Sequence, residues 1–142
     1  MTSPDVPMLS TSTPAILIKL AMWEPDHDHE LPRHGFGYRE GMTATELVDS
    51  ARAWWYLSQP RAAGYSYAVA VHAGITRGVW RIEPGSWRRA SPATAKRLGL
   101  SPRRFAFRTT PAPSGIREAV VGAIGRRVPT AGVFGSGSVI AY

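Results

Sequence analysis

The sequence predicts a single α+β domain, in which two to three helices flank a curved, mainly antiparallel sheet or a partial barrel. The chain of 142 residues has the length of about one domain. Hydrophobic residues make up 44% of the chain and include five tryptophans, which favours a folded core over disorder. Segments with strand periodicity alternate with segments of helical periodicity, and no internal repeat is found. A mixed α+β architecture follows from this alternation.

The N-terminal part of the chain predicts one buried strand and one long loop. Residues 1–13 are rich in Ser, Thr and Pro and are expected to be flexible, so the domain is assigned to residues 14–142. A compact apolar run at residues 15–22 has strand length and predicts a buried central strand. Residues 24–42 show no periodicity and contain several Pro and Gly residues, which predicts a long acidic loop.

A helix is predicted to begin at Thr43, because Glu46 stands three residues later and completes a capping box. Apolar residues at helical spacing, including Leu47 and Trp55, give this helix one core-facing side. Pro60 sets the limit beyond which the helix cannot continue. We therefore expect one amphipathic helix that extends through Trp55.

The segment from Tyr65 to Ile82 predicts two strands that fold back at Ala73-Gly74. Strict alternation divides the second strand into two faces. One face carries Arg77, Val79 and Arg81, and the other carries Thr76, Gly78, Trp80 and Ile82. Arginine and aromatic side chains thus alternate on a small sheet, which suits a protein that holds a polyanion and stacks a base.

The C-terminal part adds two helices and two strands to the prediction. Ser91 is expected to cap a short helix that reaches about Leu98, and Ser114 begins a further amphipathic helix. Between them, alternation predicts a strand with inward phenylalanines, Phe105 and Phe107, and three outward residues, Arg104, Ala106 and Arg108. The last strand is expected at residues 138–142, after a glycine-rich turn.

The charge distribution favours a nucleic-acid partner. The net charge is +7, yet residues 24–49 contain seven of the ten acidic residues, so the C-terminal two-thirds of the chain is strongly basic. Such asymmetry is typical of a surface that faces nucleic acid, although an arginine-rich solvated surface would give the same composition. The absence of cysteine fits a cytoplasmic location, and neither a secretory signal nor a membrane-spanning run is found.

The order of elements resembles that of a known group of small β-barrels. A strand and a helix precede a hairpin whose second strand, residues 74–82, runs into a turn that contains a tryptophan, and the aromatic strand 103–107 and a helix follow. In this order residues 15–142 resemble the PUA-like group, which includes the EVE, YTH and ASCH domains. The Gly-Asp dipeptide that often opens the second strand in that group is replaced by Gly64-Tyr65. The resemblance implies RNA or DNA binding, and for EVE and YTH members a pocket for a flipped or modified base.

These observations predict a nucleic-acid-binding module that reads a single-stranded or modified base beside an arginine-rich face. Arginines would contact phosphates, and Trp80, Trp87 or a nearby tyrosine would stack on a base, although at least one of the two tryptophans is expected to pack in the core. The predicted interface consists of Arg77, Trp80, Arg81, Trp87, Arg88, Arg89, Arg104 and Arg108.

Two alternatives stay open from the sequence. His27 and His29 lie among carboxylates at residues 24–30, which are ligand types for zinc, manganese or nickel, so a small metal-dependent nuclease or hydrolase is one alternative. A solvated acidic loop explains the same residues without a metal. The second alternative is an interaction module of a toxin–antitoxin or defence system, whose basic face would meet an acidic protein. No cofactor is predicted, and no motif decides whether the chain is an enzyme.

Overall fold

The computed structural model describes residues 15–25, 35–51, 55–56, 65–89, 91–98, 104–128 and 139–141. The strands are β1 Ala15–Lys19, β2 Glu24–Pro25, β3 Gly35–Phe36, β4 Trp55–Tyr56, β5 Tyr67–His72, β6 Ile75–Ile82, β7 Arg88–Arg89, β8 Arg104–Ala106, β9 Thr109–Pro111 and β10 Val139–Ala141. The helices are α1 Ala44–Ala51, α2 Pro92–Leu98 and α3 Ser114–Val120. No helix in these described stretches has the length and apolar character needed to span a bilayer.

The main sheet has five strands in the order β10-β1-β5-β6-β9. β1 and β5 are parallel, which requires the long crossover that contains α1, and the other three neighbouring pairs are antiparallel. The sheet is mixed and open, with β10 and β9 at its edges. The predicted single α+β domain is therefore confirmed, and its sheet does not close into a barrel.

Helices cover both faces of this sheet, so its central strands are apolar on both sides. The first face, which we call the α3 face, packs Leu17, Val69 and Val79 against Val120 of α3. The opposite α1 face contains the alternate residues of the same strands together with Ala51 of α1. Four consecutive residues of β1, Ala15 to Ile18, are buried, which confirms the predicted central strand.

The first helix is shorter than the sequence predicts. The capping box is present: the Glu46 amide donates to Thr43 Oγ1 at 3.1 Å, and the Thr43 amide donates to Glu46 Oε1 at 2.9 Å. However, α1 ends at Ala51, and Trp55 lies in β4, opposite Phe105 of β8. The prediction that the helix extends through Trp55 is wrong, because aromatic residues also suit strands and the pairing with β8 satisfies the backbone there.

Two small sheets surround the main one. β4, β8 and β7 form a three-stranded sheet in which β8 is central, and β2 pairs with β3. The central position of β8 explains why Ala106, predicted to face outward, is buried together with both neighbouring phenylalanines. The predicted loop 24–42 therefore contains two short paired strands, at residues 24–25 and 35–36.

The predicted hairpin is confirmed, with a bulge that alternation could not reveal. Ala73 and Gly74 have positive φ values of 52° and 77°, as a tight two-residue turn requires. Val71 lies opposite Thr76, but Ala70 lies opposite Gly78, so Arg77 is an extra residue on β6. The two faces of β6 therefore exchange at Arg77.

The bulge corrects the predicted faces of the second strand. Thr76 does not share a face with Gly78, because its hydroxyl donates to the Val120 carbonyl on the α3 face at 2.7 Å. Arg77 does not lie beside Val79 either. Its guanidinium carbon is 4.7 Å from the centre of the Tyr38 ring, which packs against the α1-face core.

Candidate nucleic-acid interface

Two cavities lie along β6 and divide four of the eight predicted interface residues into two pairs. The first, which we call the Trp87 pocket, has a volume of about 240 Å³ and lies at the C-terminal end of β6. Its lining consists of Tyr65, Ser66, Arg81, Ile82, Pro84, Gly85 and Trp87. The second, which we call the α1–α3 groove, has a volume of about 490 Å³ and lies beside the middle of β6, where it includes Arg77 and Trp80.

The turn after β6 positions Trp87. Gly85 adopts a positive φ of 74°, which an L side chain disfavours, and the Ser86 amide donates to the Glu83 carbonyl at 3.1 Å. Ser86 is buried, and its hydroxyl accepts a hydrogen bond from the Arg108 amide at 2.9 Å. The Trp87 ring then packs on Phe107 with centroids 4.9 Å apart and planes inclined by 48°. One side of the indole is thus anchored in the core while the residue also lines the pocket.

Tyr65 and Trp87 give the Trp87 pocket aromatic character on two sides. Both are half-buried and pack on the α1-face core. The buried residue Ile82 also lines the pocket. Ser66 and Arg81 add hydrogen-bonding groups to the lining. A cavity with aromatic rings and a small number of polar groups can accept a planar heterocycle by stacking.

Exposed arginines lie close to this pocket in the chain. Arg81 is itself part of the lining, and Arg88 and Arg89 follow Trp87 directly in β7 with exposed side chains. The Arg89 guanidinium carbon lies 5.6 Å from the centre of the Phe105 ring, within cation–π distance. Of these three predicted arginines, Arg81 lines the pocket, and the other two follow the pocket residue Trp87 in the chain.

Two other predicted arginines occupy different situations. The Arg108 Nε donates to the Glu83 carboxylate in an exposed ion pair, which reduces the charge that Arg108 presents to a ligand. Arg104 lies in β8, opposite Tyr56. The structure thus makes Arg108 a weaker candidate for phosphate contact than Arg81.

Trp80 and Arg77 belong to the α1–α3 groove and serve the fold as well. The Trp80 ring lies over Gly78 so closely that a Cβ added at Gly78 would be 2.7 Å from the indole Cη2. Arg77 is half-buried, and its Nε and Nη2 both donate to the His72 carbonyl, at 3.3 and 3.1 Å. Trp80 and Trp87 line different cavities, so the two side chains do not share one pocket.

The predicted metal ligands His27 and His29 lie outside the described residues. Within those residues, no group of three or more His, Cys, Asp and Glu side chains could hold a metal ion. His72 has a structural environment: its Nδ1 is 2.8 Å from the Leu20 carbonyl oxygen, and its ring stacks on Tyr38 at a centroid distance of 4.8 Å.

Among the described residues, the carboxyl group of Glu46 at the start of α1 has a lowered pKa. The hydrogen bond from the Thr43 amide, followed by that from the Arg39 side chain, lowers the pKa of Glu46. The Arg39 Nη2 lies 2.7 Å from Glu46 Oε2, and its guanidinium carbon lies 4.5 Å from the Trp23 ring centre. These contacts fix the start of α1 and have no evident catalytic role.

Sequence reasoning did not identify Tyr65 and Ser66 as specific members of the site. The sequence predicts only that a tyrosine near the tryptophans could stack on a base. The position of Tyr65 beside Trp87 depends on the pairing of β5 with β6. The Pro84-Gly85 pair is typical of a turn, and it is the local sequence feature that indicates this part of the pocket lining. No protein-family model matches the chain, and neither curated proteins nor solved structures gave a match.

Proposed function

We propose that the protein binds single-stranded nucleic acid and takes one unpaired base into the Trp87 pocket. The observation that carries this proposal is the combination of Tyr65, Trp87 and Arg81 in one open cavity of about 240 Å³. The base stacks on aromatic side chains, which accept every base because each has a π-face. Arg81 and the two arginines of β7 contact the neighbouring phosphates and orient the strand.

The charge of the chain supports the same partner. The net charge of +7 attracts a polyanion, and the arginines next to the pocket place part of that charge at the site. An unpaired base is favoured over a duplex because a paired base has to leave its stack before it can enter a pocket, which costs a few kcal/mol. A modified base is a narrower form of the same proposal, since a modification changes the edge that Ser66 and Arg81 would meet.

The first experiment measures binding of a short single-stranded oligonucleotide, and of the same sequence as a duplex, over a series of salt concentrations. We expect the single strand to bind more tightly and its affinity to fall steeply with salt, because bound cations on the strand are released. Arg81→Ala should lower the salt slope by about one unit and weaken binding to all sequences alike. No binding at low salt would refute the proposal.

The second experiment blocks the pocket without truncating the core. Ser66→Phe places a ring at an exposed lining residue, and Thr45→Phe places the same ring at an exposed residue of α1 outside the pocket. Loss of base stacking should weaken binding by Ser66→Phe about 5- to 150-fold, which corresponds to about 1–3 kcal/mol. Thr45→Phe should bind as the parent does. Equal affinities for the two variants, with unchanged melting temperatures, would exclude the Trp87 pocket as the base site.

A further inference from the structure

The strand β6 has an open edge beside the α1–α3 groove. β9 pairs only with Trp80 to Ile82, and a single bridge joins Ile75 to Arg127 at the other end of the strand. Between these two contacts, no described strand lies along residues 77–79 on the side away from β5. Open edges of this kind present backbone donors and acceptors that can pair with another chain.

The hydrogen-bond pattern shows which backbone groups point toward this edge. The Ile82 amide donates to the Ser66 carbonyl at 2.8 Å, so Ile82, Trp80 and Gly78 direct their backbone groups toward β5. Val79 directs its N–H and C=O the opposite way, toward the groove. The Arg77 bulge then resets the alternation, and the Thr76 amide points outward to the Arg126 carbonyl at 2.9 Å. Val79, which is 5% exposed and lines the groove, thus directs one donor and one acceptor outward at the end of the open edge that adjoins β9.

The walls of the groove suit an extended peptide. α1 contributes Leu47 to one wall, and Arg117 of α3 and Val121, which directly follows α3, contribute to the other. The three residues at the open edge span about 10 Å, so an added strand of three to four residues would lie along it. The apolar wall residues can receive alternate side chains of such a strand, and the volume of about 490 Å³ is larger than that of the Trp87 pocket.

The chemistry of the open edge favours a peptide over a DNA backbone. A phosphodiester has acceptors but no hydrogen-bond donor, so the DNA backbone cannot satisfy the Val79 carbonyl, whereas a peptide supplies a donor and an acceptor at strand spacing. Charge favours an acidic peptide. Arg117 is exposed in the groove, and Glu118 is the single acidic residue of the lining. Arg77 also lines the groove, although its guanidinium donates to the His72 carbonyl.

We propose that the α1–α3 groove binds an extended acidic segment of a partner protein, which adds to β6 as a strand and places a carboxylate near Arg117. The two proposals use different cavities and stand or fall separately. The bound segment pairs with the backbone of Val79 and inserts apolar side chains beside Leu47 and Val121.

The experiment begins with hydrogen exchange of the free protein. The Val79 amide should exchange faster than the Trp80 amide, because Trp80 pairs with Ala68 in β5 and Val79 has an open edge. Protection of Val79 equal to that of Trp80 in the free protein would overturn the proposal, since another part of the chain would then occupy the edge.

The probe is a displayed library of random short peptides, selected on the full chain. We expect enrichment of acidic peptides with alternate apolar residues, and slower exchange of the Val79 amide when a selected peptide binds. Arg117→Glu should weaken that peptide about five- to tenfold, whereas the matched variant Arg127→Glu, an exposed arginine outside the groove, should change binding much less.

A synthetic peptide with N-methylated amides separates strand addition from side-chain docking. Methylation removes the donors that the Val79 carbonyl requires and should weaken binding about tenfold. Equal binding of the methylated and unmethylated peptides would overturn the proposal, as would failure of the library to enrich any peptide. Competition by a short single-stranded oligonucleotide for the groove would also overturn it, while loss of oligonucleotide binding to Ser66→Phe alone would leave it intact.

Discussion

Thr76→Val tests the bulge in β6 and the attachment of α3 to the sheet. Thr76 is 1% exposed, and its hydroxyl makes two hydrogen bonds of 2.7 Å, as a donor to the Val120 carbonyl and as an acceptor from the Arg126 amide. Valine has the same shape, so the substitution removes the hydroxyl and leaves two backbone groups without this partner. Each buried group left unsatisfied costs about 1–3 kcal/mol, and the added methyl returns about 1 kcal/mol. We expect a loss of about 1–5 kcal/mol.

Urea unfolding of the parent and of Thr76→Val gives the free energy of unfolding directly, provided that the slope with denaturant stays constant. Thr110→Val is the matched control, because Thr110 is exposed on β9 and its substitution should change stability by about 0.5 kcal/mol or less. A loss below about 0.5 kcal/mol for Thr76→Val would show that the hydroxyl does not hold these two backbone groups, as expected if Thr76 shared a face with Gly78 and Trp80 by simple alternation.

Two further predictions concern α1 and the floor of the groove. Glu46→Gln should lower the melting temperature at about pH 7 but not at about pH 3, because the Thr43 and Arg39 contacts lower the pKa of Glu46. A carboxyl group whose pKa is lower in the folded protein than in the unfolded chain stabilises the fold at pH values above its unfolded-state pKa. This stabilisation is lost as the pH falls through the folded-state pKa. An equal decrease in melting temperature at both pH values would contradict the prediction. Gly78→Ala should cost about 1–2 kcal/mol in urea unfolding, because its Cβ would meet the Trp80 ring at 2.7 Å; unchanged stability would mean that the ring moves freely.

The hairpin could be predicted from the sequence because its signals are local. Ala73-Gly74 can adopt the positive φ values of a tight turn, and the alternation on both sides has the period of a strand. The bulge could not be predicted, because one extra residue leaves no mark in composition and Arg77 is an ordinary strand residue. As a result, the two residues of β6 before Arg77, Ile75 and Thr76, lie on the face opposite to the one that simple alternation predicts.

The end of the first helix shows where tertiary pairing overrides a local pattern. Apolar spacing continues from Leu47 to Trp55, yet the chain forms a strand at Trp55 because β8 is available as an antiparallel neighbour. The Trp87 pocket is a similar case. Arg81 and Trp87 were identified from their types, but Tyr65 joins them only through the register that places Tyr67 opposite Arg81. Such register is a property of the assembled sheet and is not written in either strand alone.

Fluorine NMR of fluorotryptophan-labelled protein tests most directly whether a base stacks on Trp87. The chain has five tryptophans, and the Trp87 resonance can be assigned as the one lost in the Trp87→Phe spectrum. Titration with a short single-stranded oligonucleotide should shift this resonance strongly, because the ring current of a stacked base acts at stacking distance. The resonance of Trp23, which is not part of the Trp87 pocket, should move little. Saturation of oligonucleotide binding without a shift of the Trp87 resonance would show that no base stacks on Trp87.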